Sequence, residues 1–262
     1  MDKKPIYLFL LFYIQAIIHC DNLVVAQLPR PENVISRCKK GDFKSDAYSK
    51  HLDFALDSLS SSIGNPEYTG FKSTQSGGNQ GELVNAVVLC PPYIKAADCA
   101  DCIKKSAQLL KRDCPKKKEA VVFTLVSDLT SCTVRYGDYK IEGKYDPWAR
   151  ASFQSPKKGA NDLQLRGTFR NAFDQMRKTA VTGANGIRFA KLSTNYGNTR
   201  RPIYFTLQCT PDISQEDCKD CLYWAGHGLE NIPIDEGKMS GRSVSTHCYA
   251  RYSHDPFFPD KY

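Results

Sequence analysis

Cys90-Pro-Pro-Tyr-Ile-Lys-Ala-Ala-Asp-Cys99-Ala-Asp-Cys102 returns later in the chain as Cys209-Thr-Pro-Asp-Ile-Ser-Gln-Glu-Asp-Cys218-Lys-Asp-Cys221. All three cysteines shift by 119 residues, and seven of the thirteen positions are identical. Such a match marks a duplicated unit. It extends upstream: Tyr48, Leu52, Ala55, Leu56, Leu59 and Ile63 repeat, 117 residues on, as Leu165, Phe169, Ala172, Phe173, Met176 and Ala180. That spacing places all six side chains on one face of a helix. Downstream, Cys132-Thr-Val-Arg135-Tyr136 returns as Cys248-Tyr-Ala-Arg251-Tyr252. Two copies with so long a period are tandem domains rather than a solenoid. The boundaries read as 32–139 and 152–257, with residues 140–151 as the linker.

Each copy reads as helix, strands, helix, strands. Leu83–Leu89 and Ile203–Gln208 are rich in strand-forming residues, and extended segments start at Phe71 and Phe189. The glycines of Ser76–Gly81 make that stretch a hairpin loop. Asp98 and Asp217 precede apolar-periodic runs and are expected as helix N-caps. Helices packed on antiparallel strands make each copy an α+β domain. The two sheets could also pack on each other and leave a fixed composite surface.

The chain has 262 residues, 11 cysteines and a formal net charge of +8. Its 41% hydrophobic and 24% charged residues exclude a disordered tail and a multi-span membrane protein. So many cysteines point to an oxidising compartment. Lys3 and Lys4 precede an apolar run from Ile6 to Ile18, and Val24 and Ala26 have the small-residue spacing of a cleavage site. Residues 1–26 therefore read as a secretory signal peptide, with cleavage after Cys20 as the runner-up. Either cut removes Cys20 and leaves ten cysteines, six in the first copy and four in the second. No other apolar run reaches membrane length, so neither a transmembrane anchor nor a lipid-attachment tail is expected in the mature chain.

The two additional cysteines of the first copy are Cys38 and Cys114; the facing positions in the second copy fall near Ser155 and Pro233. Both are missing together, which points to a Cys38–Cys114 bridge. The other four cysteines of each copy can pair in three ways. A bond between Cys218 and Cys221 would be cramped within one helical turn. The remaining two pairings stay open. With one bridge fewer, the second copy is expected to be the less stable.

The doubled Cys-x8-Cys-x2-Cys, with Arg135-Tyr136 and Arg251-Tyr252 after the last cysteines, resembles the plant cysteine-rich repeat secretory proteins. Their repeat is the ginkbilobin-homologous, or salt-stress/antifungal, domain. The resemblance runs from about Glu32 to Phe257. It implies a five-stranded antiparallel sheet with two helices per repeat. It also implies the bridges Cys38–Cys114, Cys90–Cys99, Cys102–Cys132, Cys209–Cys218 and Cys221–Cys248. Relatives that share the domain include single-domain antifungal lectins, receptor-like kinases and plasmodesmal proteins with a membrane span.

The lectin relatives hold mannose with an Asn directly after the first cysteine, an Arg six before the last and a Glu five after it. In the first copy the Asn and Glu positions are Lys39 and Gly137, and no arginine lies between Cys114 and Cys132. In the second copy Arg242 matches and Ser253 stands at the Glu position. Arg242 is thus the one sugar-site candidate, weighed against an ordinary surface charge.

Paired Cys-x-x-Cys motifs also suit a zinc site or a redox pair, yet ten balanced cysteines in an exported chain favour structural bridges. No His-x-x-x-His, Gly-x-Ser-x-Gly or paired-carboxylate motif appears, so no metal, cofactor or enzyme activity is expected. Lys116-Lys117-Lys118, Lys157-Lys158 and Arg200-Arg201 are the basic clusters, suited to acidic wall polysaccharide or to solvent. Export makes nucleic acid an unlikely partner. The resulting expectation is a secreted, apoplastic, non-enzymatic binding protein in defence or cell-surface signalling. Its partner would be an extracellular protein or cell-wall carbohydrate. The alternatives are a mannose-binding antifungal lectin and a redox or metal-binding protein.

Overall fold

A computed structural model describes residues 33–259 apart from 40, 65–68, 79–81, 128–129, 160–162, 185, 196–201 and 235–236, and apart from the side chains of 163, 232 and 233. The signal-peptide reading, Gly81 and the Arg200-Arg201 pair lie outside the described residues.

Domain 1 runs β1 (Val34–Cys38), α1 (Asp46–Ser61), β2 (Phe71–Ser76), β3 (Val84–Leu89), α2 (Ala96–Asp113), β4 (Ala120–Leu125) and β5 (Ser131–Gly137). Domain 2 repeats the order as β6 (Arg150–Gln154), α3 (Leu163–Thr182), β7 (Arg188–Asn195), β8 (Pro202–Cys209), α4 (Gln215–Leu229), β9 (Ser240–Ser245) and β10 (Cys248–Ser253). A π-helical turn, Glu230–Ile234, follows α4. The sheets are β1-β4-β5-β3-β2 and β6-β9-β10-β8-β7, with every pairing antiparallel. β6 begins at Arg150, inside the segment read as linker, because Arg150 and Ala151 pair with Ser245 and Val244.

The apolar stripe of α1 (Tyr48, Leu52, Ala55, Leu56 and Leu59) packs on the sheet with Ile103, Ala107 and Leu110 of α2. Leu165, Phe169, Phe173 and Met176 of α3 do the same in domain 2 with Leu222 and Leu229 of α4. The expected N-caps need correction. α2 is capped by Lys95, without a side-chain bond, and α4 by Ser214, whose Oγ accepts from the Asp217 N–H at 3.0 Å. Asp98 and Asp217 instead sit in the first turn, where a carboxylate favours the positive end of the helix dipole.

Five disulfides staple the domains: Cys38–Cys114, Cys90–Cys99, Cys102–Cys132, Cys209–Cys218 and Cys221–Cys248. In each domain one bridge ties a strand end to a helix start, and another ties that helix to the last strand.

Strand alternation sends Ala120, Val122, Val134 and Tyr136 to the helices and Val121, Phe123 and Leu125 to the opposite face. An antiparallel sheet often leaves that second face to water. Here β4 and β5 are buried on both faces. Val121, Phe123 and Leu125 meet Phe153, Val244 and Tyr249 of the second sheet, together with Ala149. The two sheets thus pack face to face with helices outside. Both belong to one compact unit, Asn33–Tyr262.

Candidate functional site

The sheet–sheet junction holds most of the residues singled out in the sequence. Lys39 follows β1, and its Nζ lies 3.1 Å from Glu119 Oε2 and 2.9 Å from Asp146 Oδ2, above the Trp148 ring. Gly137 ends β5, buried and paired with Asn85 of β3. Arg242 is no solvated surface charge. It stands in β9 between Phe153 and Arg251 and is only 8% exposed, because this face of domain 2 is covered by domain 1. Ser253 ends β10, buried and paired with Ser240.

Arg135 is the centre of a buried polar network. It projects from β5 toward the second sheet and is fully buried. Its Nη2 donates to Glu119 Oε1 at 3.1 Å and to the Tyr139 hydroxyl. The same nitrogen lies 3.5 Å from Asp146 Oδ2. Tyr139 in turn donates to Glu119 Oε1 at 2.6 Å. From the other domain, His247 accepts at Nε2 from Arg135 Nη1 and from the Asp146 backbone N–H, both at 3.1 Å. An Nε2 that accepts twice carries no proton, so His247 is the neutral Nδ1–H tautomer. That proton faces Thr210 Oγ1 at 3.4 Å. Thr246 Oγ1 closes the network by donating to the Asp146 carbonyl at 2.8 Å.

The electrostatics follow from this packing. Burial first, and then the Arg135 charge, push the His247 pKa down to about 4. Burial alone would raise Asp146, but the hydrogen bond and charge of Lys39, helped by Arg135 and Tyr139, bring it below its ordinary value. Burial and the Glu119 bond raise the Tyr139 phenol. The result is a charge-balanced, pre-paired cluster that spans both domains and the connecting segment.

At the other end of the junction, Gln208 Nε2 donates to the Cys90 carbonyl at 3.1 Å. Arg251 stacks on Phe257, 3.7 Å from its ring centroid, and Phe257 packs edge-on against Tyr93 of domain 1. The sequence marked Arg135 and Arg251 only as repeated positions, and its histidines, His247 among them, only as lacking a His-x-x-x-His spacing. A charged residue in the middle of an apolar strand was the signal available for both arginines.

Outside the junction, Tyr223 and Trp224 stand exposed on α4, touching each other and His227, with the Arg150 guanidinium 4.8 Å from the Trp224 ring centroid. Among the described residues no group of three or more His, Cys, Asp or Glu is arranged to hold a metal ion. None of the described helices is long and apolar enough to cross a membrane.

The salt stress response/antifungal family model matches residues 37–139 and again 155–255. Cysteine-rich receptor-like protein kinase 29 of Arabidopsis thaliana is 31% identical over 216 residues, covering 81% of this chain and 30% of the kinase. The chain thus spans under a third of that relative. Cysteine-rich repeat secretory protein 38 of the same plant is 28% identical over 219 residues, covering 83% of this chain and 82% of the relative. Among solved structures, the tandem DUF26 ectodomain of the Arabidopsis thaliana cysteine-rich receptor-like protein PDLP8 has the same fold. Its TM-score is 0.65 at 21% identity, over 84% of this chain and 97% of that one. With the motif matched twice and both sheets built alike, the chain belongs to the salt stress response/antifungal family and carries two of its domains in tandem.

Proposed function

We propose that the protein is exported and works in the apoplast as a non-catalytic binding module, engaging an extracellular protein or wall carbohydrate in defence or cell-surface signalling. The observation that carries this is the junction itself. An apolar interface and the Arg135 network lock two domains into one body, so outward-facing residues of both domains are held at fixed spacing. Five disulfides suit an oxidising compartment, and the secreted relative matches over most of its length. The mannose-type positions add nothing: Lys39 is spent on Glu119 and Asp146, and Arg242 is covered.

The test is expression in plant cells with and without residues 1–26. The full chain is expected in the extracellular fluid, without free thiols, and the secreted protein is expected to bind isolated cell-surface material saturably. Intracellular retention, free thiols or turnover of wall polysaccharide would overturn the reading.

A further inference from the structure

An open cavity of about 330 Å³ lies where the start of α2 meets the segment after β10, within the roughly 300–1,000 Å³ of small-molecule sites. Tyr93, Lys95 and Asp98 of domain 1 line it, with Pro256, Phe257 and Phe258 from the segment after β10. Its apolar wall is preformed. The Tyr93 ring packs edge-on against Phe257 at 5.7 Å and lies 6.3 Å from Phe258, and the two phenylalanines meet edge-on at 5.0 Å. Lys191 holds the same segment in place: its Nζ donates to the Pro259 carbonyl at 2.8 Å and lies 5.3 Å from the Phe258 ring centroid. Rings fixed in this way offer a ready surface to one more ring.

The charges at the rim select the ligand class. Lys95 and Asp98 are exposed, and among the described residues neither side chain has an ion-pair or hydrogen-bond partner. Elsewhere, charges three residues apart do pair, as in Asp101–Lys104, Asp174–Arg177 and Glu216–Lys219. Those pairs lie within helices, where such positions are neighbours. Lys95 is the N-cap of α2, with extended backbone (φ −68°, ψ 147°), and so stands outside the register that would join it to Asp98. One open ammonium and one open carboxylate beside an aromatic wall complement a ligand that carries both opposite charges and a ring. An internal residue of a peptide has neither charge. We propose that this cavity binds a free α-amino acid with an aromatic side chain, its carboxylate on Lys95, its ammonium on Asp98 and its ring against Tyr93 and Phe258. The site is independent of the macromolecular partner proposed above.

The test is an NMR titration of the ¹⁵N-labelled secreted protein with L-phenylalanine. Saturable shifts of the Asp98 and Thr130 backbone N–H signals are expected, since both residues line the cavity. Phenylacetate lacks the ammonium, phenethylamine the carboxylate and glycine the ring; each should bind at least about tenfold more weakly, having lost one of the three contacts. Lys95→Gln and Asp98→Asn should each weaken L-phenylalanine about tenfold, which is about 1.4 kcal/mol. Lys95→Gln breaks no side-chain contact of the free protein, so its effect reports the ligand and not the fold. The proposal fails if neither signal shifts saturably, if phenylacetate or phenethylamine binds as well as L-phenylalanine, or if either variant keeps full affinity.

Discussion

Arg135 and His247 are separated by 112 residues in the chain and by 3.1 Å in space. Each is costly to bury alone: Arg135 is held by Glu119 and Tyr139 of its own domain, and its bond to His247 crosses the junction. Removing one member of a buried ion pair typically costs 3–5 kcal/mol, because the partner stays buried and uncompensated. Arg135→Met is therefore expected to lower unfolding free energy by about 3 kcal/mol in urea titrations. Arg135→Lys should restore only part of it, since one ammonium cannot replace the guanidinium fork that reaches both Glu119 and His247.

His247 also sets a pH window. Its folded pKa, about 4, lies below the ordinary 6.5. As pH falls, the unfolded chain takes up the proton first. Stability from this group is complete above about pH 6.5, falls steadily to about pH 4, and is flat below. The total is roughly 3 kcal/mol, at 1.36 kcal/mol per pKa unit. Asp146, whose pKa is lowered, loses its contribution only at more acid pH, so the windows separate. Thermal melts between pH 7 and 4.5 should show a falling midpoint for the native protein. His247→Gln, which keeps an acceptor but does not titrate, should flatten the slope; equal slopes would refute the assignment.

At the scale of elements, the two domains share a plan and differ in how their second helix starts and ends. Ser214 caps α4 through its hydroxyl, whereas Lys95 offers α2 no such bond. Ser214→Ala should therefore cost about 1 kcal/mol, and Lys95→Ala close to nothing, by chemical denaturation. α2 ends at Cys114, tied to β1 through Cys38. α4 instead runs into the π-helical turn, which buries Ile234 in the core. The Cys38–Cys114 bridge closes a loop of 76 residues. Replacing both cysteines by serine should destabilise by roughly 4 kcal/mol on loop-entropy grounds. The helix faces were legible in the spacing of Tyr48 to Ile63 and of Leu165 to Ala180. The caps were not, because Asp, Ser and even Lys can all stand at a helix entry. Only the backbone path shows which one remains outside the first turn.

For the whole molecule, the shared interface changes what domain stability means. Phe123, Phe153, Val244 and Tyr249 are buried by the partner domain rather than by their own helices. Separating the domains would expose that apolar face. Calorimetry of the intact protein is expected to show one cooperative transition. Phe123→Asp, which places a carboxylate in the dry interface, should split it into two, with domain 2, one bridge short, melting first. A single unshifted transition would show that the interface contributes little.

The sequence by itself determined the duplication, the α+β class and the helix faces, because cysteine spacing and helical periodicity are local properties. It also marked Arg135 and Arg251 as repeated positions and Arg242 as a candidate sugar-site residue. Whether the face they share met water or a second sheet was a question of tertiary structure. Strand alternation tells which side of a sheet a residue takes, never what covers that side. Arg135 finds Asp146 in the segment after its own domain and His247 in the other domain, 112 residues away. Only folding brings Lys39 to Asp146, Arg135 to His247 and Gln208 to the Cys90 carbonyl, and so makes a buried junction out of what reads locally as scattered polar residues.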